Sequence, residues 1–395
     1  MPNLLLLAML AAFPALSTDM YLPALPTLQV LWGISVVEAN MSLVVFFMAF
    51  SFFLLVHGPL SDRFGRRPVL LGGITLFIVG CGLCAMADSI TMLIVARVAQ
   101  AAGAAAASAL ALALSKDLYE GPMRQKILGY IGVILAVCPM LGPFLGGLLL
   151  QVASWRWIFA CQGVLALVVL YGAVRLKEPL TEFTSGGVLA VMGRYRTVLG
   201  NGRFMALTLA FSIMVLPHFA FIGGSPDIYI TGFGVSEQAF GTYFAVNALG
   251  IMLGSFACTR LTVSVSSVRV LFVSIFGVLA AGLALAVFGA PSPLIMAALM
   301  FCVTFFLGLS RPISNNMCLE QVDTDIGAAS SILTFTIFFV GAGSMALIGL
   351  DWPSKPAFIG QLAVIGALVP LTILWVMLRF FGRRPEEPEE PRPQQ

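Results

Sequence analysis

Residues 38–87 read EANMSLVVFFMAFSFFLLVHGPLSDRFGRRPVLLGGITLFIVGCGLCAMA. Two apolar runs, each near the ~20 residues that a helix needs to cross a bilayer, flank a turn carrying Arg63, Arg66 and Arg67. Such a segment is a membrane hairpin whose cationic turn stays on the side where arginine and lysine are retained. The pattern recurs along all 395 residues. The chain is 59% hydrophobic and only 10% charged, with a mean hydropathy of +1.00. A soluble domain carries about 25% charge, so too few charges exist here to cover a water-exposed surface. The class is an all-α polytopic membrane protein.

Apolar runs place twelve helices at 3–25, 38–58, 69–87, 91–114, 125–151, 155–176, 203–230, 236–259, 268–289, 292–316, 326–349 and 357–381. The longest polar interruption, 177–202, splits them into two six-helix halves, 1–176 and 203–381. Residues 382–395, RRPEEPEEPRPQQ and the glycine before it, are rich in Pro and Glu and are expected to be a disordered tail. The first run has no basic residue ahead of it, so it reads as a span rather than a signal peptide.

Cation placement orients the spans. With both termini inside, inside segments hold Arg63, Arg66, Arg67, Lys116, Arg124, Lys126, Arg175, Lys177, Arg194, Arg196, Arg203, Arg260, Arg269, Arg379, Arg383, Arg384 and Arg392. Outside loops hold only Arg156 and Lys355, and Arg97 and Arg311 fall within helices. This bias predicts cytoplasmic N- and C-termini.

Composition also excludes classes. A net charge of +3 gives no reason to expect a nucleic-acid partner. Cys81 and Cys84 form a C-x-x-C in wholly apolar surroundings, which suits helix packing better than metal or redox chemistry. No nucleophile–base set, metal cluster or nucleotide loop is present. The chain is therefore not expected to be an enzyme and implies no cofactor and no metal.

Three motifs carry more information. GPLSDRFGRRPVLL, 58–71, combines Gly58, Asp62, Arg63, Gly65, Arg66 and Arg67: glycines for close approach and a sharp turn, and an aspartate able to meet a helix N-terminus or a cation. ARVAQAAGAAAA, 96–107, puts Arg97 and Gln100 inside helix 4. VCPMLGPFLGG, 137–147, clusters Pro139, Gly142, Pro143, Gly146 and Gly147 on helix 5, where a kink and tight packing suit an interface between halves that rock. The first motif resembles the loop signature of the major facilitator superfamily at nearly every position. The second resembles the R-x-x-Q-G-x-G motif of its proton-coupled members, with Ala101 in place of the first glycine. The third resembles the G-P-x-x-G-G motif of its antiporters, and SWRWIF, 154–159, also resembles the family.

TDMYLPALP in helix 1, together with VLGNGRF (198–204) and SPDIYITG (225–232), is similar to the Bcr/CflA drug-efflux branch and its MdfA-type multidrug/proton antiporters. The likeness is strongest in the first half; the second lacks a full copy of the loop motif. In MdfA-type proteins a second acidic residue lies two helical turns before the helix 1 aspartate, and here Ala11 stands there. The resemblance implies a monomeric transporter of the bacterial inner membrane that exchanges lipophilic drugs, phenicol-like and cationic, for protons.

Helix 1 supplies the central expectation. An aspartate at bilayer depth costs roughly 2.5–3.5 kcal/mol on insertion scales and is by default functional. Asp19 and Asp227 are the acidic residues within spans and away from inside ends. Asp19-Met20-Tyr21 and Asp227-Ile228-Tyr229 echo one another in the two halves, as parallel repeats would. Burial and a nearby guanidinium act on a carboxyl in opposite senses, and a group balanced between them can load and release protons. Asp19, Arg97, Asp227, Tyr21 and Gln100 are the candidate coupling and substrate residues. Pro23 and Pro26 are expected to end helix 1 just past Asp19. His57 and His218 read as structural. Phe46, Phe47, Phe50, Phe52 and Phe53 of helix 2, with Phe211, Phe219 and Phe221 of helix 7, suit a greasy cavity. Two alternatives stay open: an exporter of a sugar, amino acid or other metabolite, and a membrane receptor or enzyme without transport.

Overall fold

The computed structural model describes residues 2–180 and 188–381. The expected disordered tail and part of the central linker lie outside the described residues. Among the described residues all regular structure is helical, with twelve helices long and apolar enough to cross a membrane. Helices 2 to 6 are Val36–Phe64, Arg66–Ala85, Ile90–Leu118, Gly121–Val152 and Arg156–Val174. Helices 8 to 11 are Glu237–Leu261, Ser267–Phe288, Pro293–Leu319 and Ile326–Gly349. Helix 12 is Lys355–Phe381. Helices 1 and 7 are interrupted, as described below.

Several helices outrun their apolar stretches because charged residues at a span's end remain helical while facing the interface. Helix 2 continues through Gly58, Asp62 and Arg63 to Phe64, leaving Gly65 as the turn. Gly65 has φ +99°, a region that only glycine enters freely. Serine side chains cap the starts of helices 2, 4, 8 and 10, accepting from otherwise orphaned N–H groups.

Helix 1 differs from expectation. It does not end near residue 25: Pro2–Asp19 is followed by a 3-10 turn, Leu22–Ala24, and a further helix, Leu25–Trp32. Pro23 and Pro26 occupy the first positions of these segments, where a missing N–H costs nothing. They redirect the chain rather than stop it, and Asp19 lies near the middle of the span instead of at its end.

Helix 7 is likewise broken into Gly202–Ile213, Leu216–Pro226 and a π-turn, Asp227–Gly232. Both D-x-Y sequences thus fall where α-geometry is abandoned, a feature often found at functional sites. A twelve-residue helix, Val188–Leu199, lies inside the polar interruption. Its arginines masked it from a reading based on apolar runs.

Helices 1–6 pack among themselves, as do helices 7–12, and the halves meet mainly along helix 5 against helix 8 and helix 2 against helix 11. The first seam is closest at the face opposite the 58–71 turn. A Cβ on Gly147 would lie 2.7 Å from the Glu237 carbonyl carbon, and one on Gly241 would lie 2.6 Å from the Phe144 nitrogen. Gln151 Nε2 donates to Gln238 Oε1 at 2.9 Å across it. At mid-span Phe47 and Phe50 of helix 2 meet Phe338 of helix 11 at ring separations of 5.8 and 5.1 Å, and Phe219 of helix 7 joins at 5.5 Å from Phe47. On the face with the 58–71 turn, the linker helix bridges the halves. Tyr195 Oη donates to the Leu55 carbonyl at 2.9 Å, and Arg194 meets Asp325 at 3.8 Å.

Candidate functional site

The interior of the first half is built around Arg97. It sits one to two turns into helix 4, yet it is fully buried, so the side chain points into the bundle rather than snorkelling to an interface. Its Nη1 donates to the Ser17 carbonyl at 2.8 Å and to Gln100 Oε1 at 2.6 Å. The guanidinium lies 4.2 Å from the Phe46 ring centre and 5.0 Å from that of Tyr21, contacts that stabilise a desolvated cation. Gln100 Nε2 donates to Gln162 Oε1 at 2.8 Å, and Gln162 Nε2 donates to the Leu16 carbonyl at 3.0 Å. Helices 1, 4 and 6 are tied together by this chain. The carbonyls of Leu16 and Ser17 are therefore held from two sides, immediately before Asp19.

Asp19 itself is 5% exposed. Its one hydrogen bond among the described residues comes from its neighbour Thr18, at 3.2 Å. Arg97 reaches helix 1, but at the Ser17 backbone and not at the carboxylate, and among the described residues one of its nitrogens, Nη2, has no hydrogen-bond partner. A buried cation and a buried carboxyl thus share helix 1 without forming an ion pair. Tyr21 is fully buried and shares a hydrogen bond with Ser42 Oγ at 2.9 Å.

The glycine and proline motif of helix 5 forms the other wall. A Cβ on Gly142 would come within 2.7 Å of Asp19 Cβ, and one on Gly146 within 2.9 Å of the Met20 carbonyl carbon. Gly147, one residue on, faces helix 8. The motif therefore serves two contacts: Gly142 and Gly146 admit helix 1, and Gly147 admits the second half. Pro139 and Pro143 lie within an uninterrupted helix.

Asp227 has a different setting. Its Oδ2 accepts from Lys355 Nζ at 2.6 Å, and both side chains are mostly buried. It is a paired charge, unlike Asp19. Tyr229, the echo of Tyr21, is fully buried, but among the described residues its hydroxyl has no hydrogen-bond partner.

The 58–71 turn is held by a compact ionic network. Arg66 contacts Asp62 at 2.5 Å and Asp117 at 2.7 Å. Glu178 accepts from the backbone N–H groups of Arg66 and Arg67, both at 2.9 Å, so a residue after helix 6 caps the start of helix 3. Arg67 Nη2 donates to the Val174 carbonyl at 3.0 Å, while Arg63 is exposed. Gly58 departs from expectation: a Cβ there would meet nothing within 4 Å, so no helix approaches it closely.

A protein-family model, the Major Facilitator Superfamily, matches residues 7–346. The chain belongs to the Major Facilitator Superfamily. It is 29% identical over 386 residues, covering 95% of this chain and 94% of the relative, to the uncharacterized MFS-type transporter YdgK of Bacillus subtilis strain 168. It is 32% identical over 294 residues to the multidrug transporter MdfA of Escherichia coli O157:H7, covering 72% of this chain and 71% of that one. The multidrug transporter MdfA of Yersinia pestis bv. Antiqua (strain Angola) is 28% identical over 395 residues, with 98% and 94% covered. The crystal structure of a D-xylose-proton symporter shares the fold, with a TM-score of 0.70 over 95% of this chain and 96% of that one at 15% identity.

As a Major Facilitator Superfamily member, the chain is a multi-pass membrane transporter and not an enzyme. Of the residues named from sequence, the fold brings Tyr21, Arg97 and Gln100 together, while Asp19 lies on the same helix 1 against Gly142 of helix 5. Sequence reading missed Ser17, Ser42, Gln162 and Glu178. Gln162 carried a usable signal, being a lone amide in the apolar helix 6. Ser17 had none, because its backbone carbonyl makes the contact with Arg97. Phe46, Phe47, Phe50, Phe211, Phe219 and Phe221 are buried, whereas Phe52 is 57% exposed and so cannot line a central cavity.

Proposed function

We propose that this chain is a proton-coupled efflux antiporter of lipophilic, aromatic drugs, working by alternating access in a bacterial inner membrane with both termini cytoplasmic. The reading rests on one observation: Asp19 is buried at mid-span with no cation paired to its carboxyl. An intramembrane ionisable group in such a place marks an ion or substrate path. Protonation and drug binding compete at Asp19. Drug leaves when a proton is taken up, and loss of the proton restores the drug-binding form. Arg97 fixes the geometry by holding helix 1 through Ser17, with Gln100 and Gln162 behind it. Residues 1–176 and 203–381 move as units about the seams of helices 5 with 8 and 2 with 11, and the 58–71 network holds the inner ends of helices 2 to 4 together. The aromatic cluster of Phe47, Phe50, Phe219 and Phe338 supplies apolar contact for the drug. A metabolite exporter would instead need hydrogen-bonding groups there.

The test is resistance of an efflux-deficient bacterial host to a phenicol and to a lipophilic cation, with and without a proton uncoupler. The wild type raises resistance, the uncoupler abolishes it, and Asp19→Asn abolishes it while the protein is still made and inserted. Full resistance with Asp19→Asn would refute the coupling mechanism. Uncoupler-sensitive export of sugars or amino acids, without drug resistance, would favour the metabolite reading.

A further inference from the structure

Helices 9 and 12 pack against each other in the second half, and their approach is uneven along their length. Toward the face opposite the 58–71 turn, small residues bring them together. A Cβ on Gly282 would lie 2.6 Å from Ala363 Cβ, and one on Gly360 would lie 2.8 Å from Ala286 Cα. Toward the other face the side chains become large, and the two helices enclose a groove of about 340 Å³. Phe272 and Phe276 of helix 9 and Leu371, Thr372 and Trp375 of helix 12 line it. Phe276 and Trp375 are more than half exposed, so the groove opens sideways from the bundle, where a spanning segment meets acyl chains.

Two cations flank the end of this groove on the side of the 58–71 turn. The Arg379 guanidinium of helix 12 lies 5.1 Å from the Trp375 ring centre. On helix 9, Arg269 lies seven residues before Phe276, about two turns away and on nearly the same line along the helix. Arg269 also lines a second groove, of about 230 Å³, with Leu261, Val265, Val270, Val273 and Leu309. At about 100° per residue, Val270 and Val273 fall to one side of Arg269, and Phe272 and Phe276 to the other. The two grooves thus run along either side of helix 9 and converge at Arg269. Both arginines are exposed, and among the described residues neither makes a hydrogen bond or an ion pair. The acidic residues between helices 10 and 11, on the same face, are Glu320, Asp323 and Asp325. None of them pairs with either arginine; Glu320 accepts from Asn316 and Asp325 meets Arg194.

We propose that this surface binds an anionic phospholipid from the leaflet on the side of the 58–71 turn. Its phosphodiester sits between Arg269 and Arg379, and its two acyl chains occupy the grooves on either side of helix 9. Apolar grooves that end in unpaired cations complement a molecule with long chains and an anionic head, and basic groups between spanning helices recognise such heads. Arginine engages two phosphate oxygens at once through its planar fork. Phe272, Phe276 and Trp375 supply broad apolar contact for one chain. The site faces the bilayer and not the space between the halves, so it is separate from Asp19 and goes beyond the transport reading.

The test titrates detergent-solubilised full-length protein with phosphatidylglycerol or phosphatidylcholine of identical acyl chains and reads the tightest-bound lipid by native mass spectrometry. The wild type should bind phosphatidylglycerol at least about tenfold tighter, the preference two interfacial arginines supply. Arg269→Gln and Arg379→Gln should each weaken phosphatidylglycerol about fivefold and leave phosphatidylcholine within about twofold. Arg175→Gln is the control: this arginine also stacks on an aromatic ring, Tyr171, at the corresponding end of helix 6, and its loss should leave both affinities within about twofold. Thr372→Trp keeps both cations but fills the groove, and it should weaken both lipids. Equal wild-type affinity for the two lipids would overturn the proposal without any variant. So would a preference that survives in the Arg269→Gln/Arg379→Gln double variant, or phosphatidylglycerol binding unaffected by Thr372→Trp. Displacement of the lipid by an equal concentration of glycerol phosphate would show a site for the anion alone and would likewise overturn it.

Discussion

Gly147→Ala tests the closed seam between the halves. An ideal Cβ at this position would lie 2.7 Å from the Glu237 carbonyl carbon and 2.9 Å from Gln238 Cα, against a carbon–carbon optimum of about 3.5–4.0 Å. Both obstacles are backbone atoms, so no rotamer change relieves the clash. Helices 5 and 8 must part by roughly 1 Å, at a cost of about 1–3 kcal/mol typical of small-to-large changes in packed interiors. Only the conformation closed at this face carries that cost, so the closed-to-open ratio should fall about 5–150-fold.

A reporter lies one turn away, where Gln151 and Gln238 share a 2.9 Å hydrogen bond. With both replaced by cysteine and the exposed Cys302 replaced by serine, the rate of oxidative cross-linking reads the closed population. Gly147→Ala should slow it at least about fivefold. Gly146→Ala is the control, since its Cβ meets Met20 and Pro23 within its own half. It should lower stability and leave the cross-linking rate within about twofold. An unchanged rate in Gly147→Ala, or equal slowing by both substitutions, would refute the assignment of this contact to the moving seam.

Two further outcomes follow from the buried polar groups. Gln162→Leu removes the side-chain donor to the Leu16 carbonyl, leaving it only the Met20 N–H at 3.3 Å, and the oxygen acceptor of Gln100 Nε2, leaving it only Cys81 Sγ at 3.2 Å. It should therefore destabilise the protein by about 1–3 kcal/mol in thermal unfolding in detergent, and a Tm equal to wild type would show that the network contributes nothing. Lys355→Met strands the Asp227 carboxylate and should cost more stability than the paired change Asp227→Leu/Lys355→Met, because removing both charges leaves nothing unpaired. The same unfolding assay decides it, and a less stable double variant would contradict the reasoning.

The amino-acid sequence by itself determined the class and the number of spans. Twelve apolar runs are a one-dimensional property, set by what a bilayer accepts at each depth. The 58–71 motif and the lone acids at 19 and 227 were visible for the same reason: a charge within an apolar run stands out against its neighbours. Only the tertiary structure separated Asp19 from Asp227. Their local sequences match as D-x-Y, and both lie where the α-helix is interrupted, but Lys355 arrives from helix 12 to neutralise Asp227 while, among the described residues, no cation reaches the Asp19 carboxyl, which is met only by Thr18. Likewise, Arg97 was expected beside helix 1, yet its choice of the Ser17 carbonyl depends on how helices 1, 2, 4 and 6 converge. Contacts between residues far apart in the chain, such as Glu178 on the Arg66 and Arg67 backbone, are fixed by packing and by the need of each buried polar group for a partner, and no local spacing encodes them.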